Sequence, residues 1–285
     1  MRAREPPPPV EAHRQPDLVS GLSARSLPGL PEVTAGTDLA ELIAGALDAE
    51  RPARQLQDGQ IVAIAHKVVS KAEGAVVDLR DVEPTARAHE LAEQTSTPAA
   101  PGAAGAAPKD PRAVQIVLDQ SAEILRAERG VIVARTHHGF VCANAGVDAS
   151  NSADPDTLIV LPRDPDASAR QIRARLRELT GACVGVLITD SFGRAWRHGQ
   201  CDIAIGCAGI APLDDWRGRR DSVGLELRAT WLAVADAIAA LADLARAKDS
   251  REPVVIVEGL ERFVSDQDGP GALALLRPLK EDLFR

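Results

Sequence analysis

The chain has 285 residues, 45% of them hydrophobic and 26% charged, which is enough apolar material for a substantial core in one large domain or two smaller ones. The formal net charge of -8 excludes nucleic acid as the main partner, because phosphate binding needs a basic face, and with 2% aromatics and no Tyr there is no stacking platform for single strands. No apolar run approaches the roughly twenty residues that span a bilayer, and the opening MRAREPPPPVEAHRQP has no apolar segment of a secretory signal, so a cytoplasmic protein with no membrane partner is expected.

In chain order, residues 1–24 are rich in Pro, Arg and polar side chains and read as a disordered tail before a domain covering 25–285. IVAIA at 61–65 is a short buried strand, and a helix is expected from Pro84 to about Gln94. Residues 97–108, within TPAAPGAAGAAPKD, have the composition of a flexible loop. Asp110 then caps a longer helix with Pro111 in its first turn and Val114, Val117, Leu118, Ile124 and Leu125 along one side. Strands are expected at 131–134 and 157–161, an Arg-rich amphipathic helix at 168–179, and a buried strand at 183–189. A further strand covers part of 202–207, a long Ala-rich helix spans 225 to about 247, and a late strand covers 254–257. This alternation predicts an α/β, mixed α+β architecture: a mixed sheet with flanking helices. The four cysteines, Cys142, Cys183, Cys201 and Cys207, form no CxxC pair and read as buried free thiols in a reducing compartment.

Four segments could carry chemistry. In AHKVVSKAEG (65–74), Lys67 and Lys71 follow a strand directly, a common place for ligand crevices in α/β folds; they could hold phosphates or be two solvated surface lysines. In THHGFVCANAGVDASN (136–151), small residues allow close backbone approach, and Asp148 offers a hard oxygen for magnesium or manganese. The same stretch could be a self-capping Asn/Asp/Gly turn. His137 and His138 are adjacent, so in a strand they would face opposite ways. In ITDSFGRAWRHGQ (188–200), Asp190 ends a buried strand, and Arg194 and Arg197 could bind anionic groups with bidentate geometry; Asp190 could equally cap a turn beside solvated arginines. In DWRGRRDSVGLELRAT (215–230), Arg217, Arg219 and Arg220 precede the expected long helix and could form an anion site, or Asp221 could cap that helix. There is no GxxxxGK[ST] loop, no GxGxxG after a strand and no GxSxG elbow.

Taken together and in order, HKVVSKAEG, KDPR at 109–112, HGFVCANAGVDASN, ITDSFGRAWRHGQCDIAIGCAG and RGRRDSVGLEL resemble the coenzyme F420 γ-glutamyl ligase family, over about residues 27–259. The resemblance implies that family's fold. It also implies an enzyme, an acid–amino-acid ligase of F420 biosynthesis, that uses GTP to join L-glutamate to the carboxylate of F420-0 or its dehydro precursor and can add further γ-linked glutamates. It implies Mg2+ or Mn2+, with K+ as an accompanying ion, and a homodimer. By position, Leu30, Pro31, Glu32 and Val33 match an early nucleotide-contacting segment, and His66, Lys67 and Lys71 a second one. Asp148 matches a metal ligand, Asn151 a nucleotide contact, and Asp190 and Ser191 metal-binding positions, the last usually Thr. Catalytic roles then fall to Lys71, Asp148 and Asp190, while assigning acidic substrates to Arg194, Arg197 or Arg217 is chemical inference. An acyl phosphate attacked by the glutamate amine is the chemically plausible route.

The sequence departs from the family's pattern in places. Ala245, Arg246, Ala247 and Lys248 stand where a VMGK-like segment is common, Glu258 stands for a usual Arg and Cys201 for a usual Thr. Residues 97–108 look like an insertion. With the sequence ending at Arg285, the flavin-binding reductase domain that some bacterial relatives carry is not expected. The competing readings are a related carboxylate–amine ligase with another acceptor, and a non-catalytic nucleotide-binding protein.

Overall fold

The structure is a computed structural model that describes residues 21–50, 55–95, 109–150 and 154–282. Its elements follow in chain order: β1 (Ser23–Ser26), α1 (Leu39–Glu50), β2 (Ile61–Ala65), α2 (His66–Ala72), β3 (Val76–Asp78), α3 (Ala86–Thr95), α4 (Pro111–Asp119), β4 (Ser121–Glu128) and β5 (Val131–Thr136). Then come β6 (Val141–Ala143), β7 (Thr157–Ile159), α5 (Pro165–Thr180), β8 (Gly185–Arg194), β9 (Arg197–Ala208), β10 (Leu213–Asp215), β11 (Trp231–Ala233), α6 (Val234–Ala245) and β12 (Val254–Glu258).

The main sheet has the order β1-β12-β2-β8-β9 and is mixed: β2 and β8 run parallel and the other pairs antiparallel. The central strands have apolar residues on both faces, as a sheet covered on both sides requires. Val62, Ile64, Val186, Ile188 and Ile205 pack toward α1 and α5, and Ile61, Ala63, Leu187, Ala204, Val255 and Val257 toward α6. Where the β8–β9 ladder shifts register between Ile188 and Thr189, the Ala204 amide donates instead to the Asp236 carboxylate of α6 at 3.0 Å. Burial pushes that carboxyl above its ordinary value. A smaller unit packs α3 and α4 on the sheet β4-β5-β6 around Leu91, Val114, Val117, Ile132 and Ala134. The mixed α/β architecture with flanking helices is as the sequence predicts.

Several boundaries differ. Residues 1–20 and 97–108 lie outside the described residues, but Ser23 and Ala24, expected in the tail, pair with Glu258 and Val257 as part of β1. The helix capped by Asp110 does form, with the Arg112 amide donating to the carboxylate at 2.8 Å and Pro111 in the first turn. It stops at Asp119, however, and Ile124 and Leu125 belong to β4. Pairing with β5, and the Ser121 hydroxyl closing the helix end on the Val117 carbonyl at 2.6 Å, override the helical spacing. The Ala-rich helix begins only at Val234. Residues ahead of it form an excursion in which Asp221 does not cap a helix but accepts the Val223 and Leu225 amides of a turn. His137 and His138 sit in the turn after β5 and not in a strand. All four cysteines are free, Cys142 and Cys207 buried and the other two partly exposed.

Candidate functional site

Strand β2 runs straight into α2, and its parallel pairing of Ala65 with Thr189 sets the first turn of that helix beside Asp190 on β8. His66 is buried, with Nε2 3.2 Å from Asp190 Oδ1 and Nδ1 3.4 Å from the Ser70 hydroxyl. Close as the carboxylate is, this buried nitrogen forms no hydrogen bond. Asp190 Oδ1 instead accepts the Ser191 amide at 2.8 Å. One residue on, Lys67 Nζ lies 2.8 Å from Asp148 Oδ2 and donates to the Ser150 hydroxyl at 2.5 Å. One turn later, Lys71 Nζ pairs with Glu32 at 2.5 Å. The short helix α2 thus reaches the early segment, the Asp148 turn and the middle of β8 through successive polar side chains. The buried strand expected to end at Asp190 runs on to Arg194, because its ladder with β9 continues.

These contacts are cheap to exchange. Glu32 is 72% exposed, so its pair with Lys71 contributes under about 1 kcal/mol, and an incoming phosphate could take the lysine over. Leu30 and Val33 turn their side chains into the core, while Pro31 and Glu32 remain exposed. Burial alone would push the Asp148 carboxyl up, but Lys67 and Ser150 hold it below the usual carboxylate range. Its stabilising contacts are therefore complete above the unfolded value near about 3.9 and fade as pH falls through the lower folded value.

The backbone leading to Asp148 is unusual. Asn144, Ala145 and Gly146 all have left-handed φ, of 51°, 54° and 73°. Ala145 costs roughly 1–2 kcal/mol there, offset by burying its methyl group in the small core with Val114 and Val117. A Cβ on Gly146 would meet Leu161 at 2.7 Å. Gly146→Ala should then lose roughly 2–4 kcal/mol through φ strain and overpacking. A denaturation midpoint equal to the wild type would contradict this.

Strand alternation separates Asp190 and Ser191, the adjacent pair that matched metal-binding positions. Asp190 lies on the α1/α5 face of β8 with Ile188, whereas Thr189 and Ser191 lie on the α6 face. There the Ser191 hydroxyl donates to Asp202 Oδ1 at 2.5 Å and the Thr189 hydroxyl to Oδ2 at 2.9 Å. Arg246 pairs with the same carboxylate, and Lys248 lies 2.9 Å from Ser191 Oγ while also pairing with Asp243. Asp202 is 1% exposed. Burial pushes its carboxyl up, but Ser191, Arg246, Lys248 and Thr189 together hold it below the ordinary range. The Ser191 side chain therefore does not face the Asp190 carboxylate. Sequence reading missed Asp202, although one carboxylate in the apolar run CDIAIGCA is itself a signal, since a buried charge must be paired.

The remaining expectations separate similarly. Arg194 and Arg197 are exposed at the tip of the β8–β9 hairpin, where Arg194 donates to the His198 carbonyl at 2.7 Å. Arg217 stacks over Trp231 at 4.3 Å and pairs with Asp215 at 2.7 Å. Asn151 lies outside the described residues. A cavity of about 290 Å³ opens on the other side of α2, but its charges are already paired, Arg175 with Asp38 and Glu73 with Ser168.

Among the described residues no three His, Cys, Asp or Glu side chains group as a metal cage. A magnesium-like ion needs fewer, since it keeps waters and phosphate oxygens beside one or two carboxylates. Asp148 and Asp190 are contacted by adjacent residues of α2, Lys67 and His66, and the buried His66 Nε2 has no hydrogen bond; two such carboxylates would suit that requirement.

Comparison with known proteins bears on the family of the chain. The family model described as F420-0:Gamma-glutamyl ligase matches residues 29–259. A coenzyme F420:L-glutamate ligase of Methanopyrus kandleri is 44% identical over 256 residues, 89% of this chain and 94% of the relative. Its namesake in Methanothermobacter thermautotrophicus is 42% identical over 93% of this chain and 99% of the relative. That of Methanocaldococcus jannaschii is 42% identical over 81% and 86%. With most of its length matched and the α2–Asp148–Asp190 constellation inside the matched span, the chain belongs to the F420-0:Gamma-glutamyl ligase family.

Proposed function

We propose that the chain is a GTP-dependent ligase that joins L-glutamate to the carboxylate of F420-0 or its dehydro precursor. The observation that carries the reading is that His66, Lys67 and Lys71 of α2 contact Asp190, Asp148 and Glu32, which come from three separate motifs. Lys67 and Lys71 would exchange Asp148 and Glu32 for phosphate oxygens. Asp148 and Asp190 would hold Mg2+ or Mn2+, which when bound supplies charge neutralisation at the terminal phosphates. The acceptor carboxylate attacks the γ-phosphorus and GDP leaves, giving an acyl phosphate. The neutral glutamate amine then attacks the acyl carbon, phosphate leaves and the nitrogen loses a proton. Positioning and electrostatics carry most of such a transfer.

A homodimer is part of the proposal. The outer face of the small sheet exposes Leu125, Val131 and Val141 by 37%, 40% and 50%, apolar area of the kind that interfaces cover. No described helix is long and apolar enough to cross a membrane, and a cytoplasmic site of action would supply GTP and glutamate.

The test is GDP release from the purified chain with GTP, Mg2+ or Mn2+, glutamate and F420-0. Release should require both acceptors, and the product should be heavier by one glutamyl unit or several. Release that ignores glutamate, or none with both acceptors present, would overturn the reading; a panel of other acids separates a related ligase.

A further inference from the structure

Lys109 stands just before the N-cap of α4. Its neighbour Asp110 faces Arg112, bonded through both carboxylate oxygens. Asp148, four residues past Asn144, is held by Lys67. Among the described residues Lys109 forms no ion pair, and its ammonium reaches one acceptor, Asn144 Oδ1, at 3.4 Å. Lys67, Lys71 and Lys248 each have a carboxylate at hand. Lys109 is partly buried, and burial pushes its ammonium below the usual lysine value. An ammonium drawn partly out of water with no counter-charge is a cost.

Asn144 is the second half of the observation. Its side-chain carbonyl faces Lys109 and the Ile132 amide, each at 3.4 Å, which leaves the NH2 end with no protein acceptor among the described residues. An ammonium with no counter-charge and an amide NH2 with no protein acceptor among the described residues therefore stand together, within about 14 Å of chain from Asp148. A carboxylate satisfies one ammonium and one amide hydrogen and brings the single negative charge the lysine lacks. Lys67 and Lys71, on α2, are already the cations next to the proposed phosphate position.

We propose that Lys109 and Asn144 form a two-donor clamp for a carboxylate of one of the two acidic substrates, a reading that rests on the ligase function proposed above. Both glutamate and the deazaflavin acceptor carry such a group, and the experiment separates them. KM for GTP, glutamate and F420-0 is measured separately in wild type, Lys109→Met, Lys109→Arg and Asn144→Asp, beside the ligand-free thermal midpoint. Lys109→Met should raise KM for one acidic substrate at least about tenfold, the loss of a charge-assisted contact. KM for the other acid and for GTP should stay within about twofold. Its ligand-free midpoint should be unchanged or higher, because an uncompensated charge has been removed. Asn144→Asp should raise KM for the same acid, and Lys109→Arg should restore part of the loss.

Unchanged KM values, a rise confined to GTP, or a lowered midpoint with all KM values raised together would overturn the clamp. If the wild type forms no amide at all, the ligase reading fails separately. The clamp is then decided by thermal shift with glutamate and with glutarate, which should raise the midpoint of the wild type and not of Lys109→Met; equal shifts, or none in the wild type, overturn it.

Discussion

Asp190→Asn is expected to lower turnover by about two to three orders of magnitude, the usual effect of deleting one electrostatic anchor at a site of charge development. The fold should survive. Asparagine has nearly the same shape and keeps an oxygen for the Ser191 amide, which Asp190 accepts at 2.8 Å. What goes is the charge that stands 3.2 Å from His66 and is proposed to hold the divalent ion. Asp148→Asn should fall by a similar factor, because the Lys67 ammonium at 2.8 Å would lose its carboxylate and the ion its second anchor. If the two act as a unit, the double variant should be little slower than either single one. Turnover at saturating GTP and metal, with the thermal midpoint as a control, decides it. A loss below about tenfold with an intact midpoint would remove Asp190 from the machinery.

The layered core was readable because its strands are apolar on both faces. IVAIA and the run ending at Asp190 can only be central strands, and their parallel pairing of Ile61 with Gly185 sets the site at one end of the sheet. The misread elements are those in which non-local contacts outweigh local pattern. Ile124 and Leu125 sit at helical spacing from Val117 and Leu118, yet they extend because β5 offers a ladder from Ser121 to Glu128. Residues 225–233 are apolar and Ala-bearing enough to read as helix. Gly224, at a φ of 89°, and the Asp221 turn redirect the chain, and β11 pairs with β10 instead.

The site was legible in its chemistry and partly hidden in its facing. Lys67, Lys71, Asp148 and Asp190 could be named from motifs, and α2 brings all four into one neighbourhood. That Ser191 turns away follows from a period of two along β8, which needs the register of Ser191 opposite Asp202 before it can be applied. Arg194 and Arg197 looked like substrate ligands because of their charge. The hairpin carries them to an exposed tip, which only strand lengths and turn position determine. The segment 245–248 places two cations, Arg246 and Lys248, on Asp202.

That convergence sets the largest effect expected on stability. Asp202→Ala removes the counter-charge of Arg246, whose side chain is 9% exposed, and strips the acceptor from the Thr189 and Ser191 hydroxyls. Breaking a buried pair from one side leaves an uncompensated charge and costs about 3–5 kcal/mol, a large part of the roughly 5–15 kcal/mol that holds a domain together. Asp202→Asn keeps an acceptor oxygen and should lose less. Combining Asp202→Ala with Arg246→Met removes both charges and should recover much of the loss, because an apolar replacement of a whole buried pair is often neutral. The acid limb follows from the same carboxylate. Its folded pKa is depressed, so its contribution is complete above the unfolded value near about 3.9 and is lost as pH falls through the lower folded value. Stability of the wild type should fall in that range more steeply than stability of Asp202→Asn. Denaturant unfolding of the single and double variants near pH 7, with wild type and Asp202→Asn repeated in acid, measures both effects. A single-variant loss under about 1 kcal/mol, or a double variant no more stable than Asp202→Ala, would mean that Arg246 finds another partner or solvent once the carboxylate is gone.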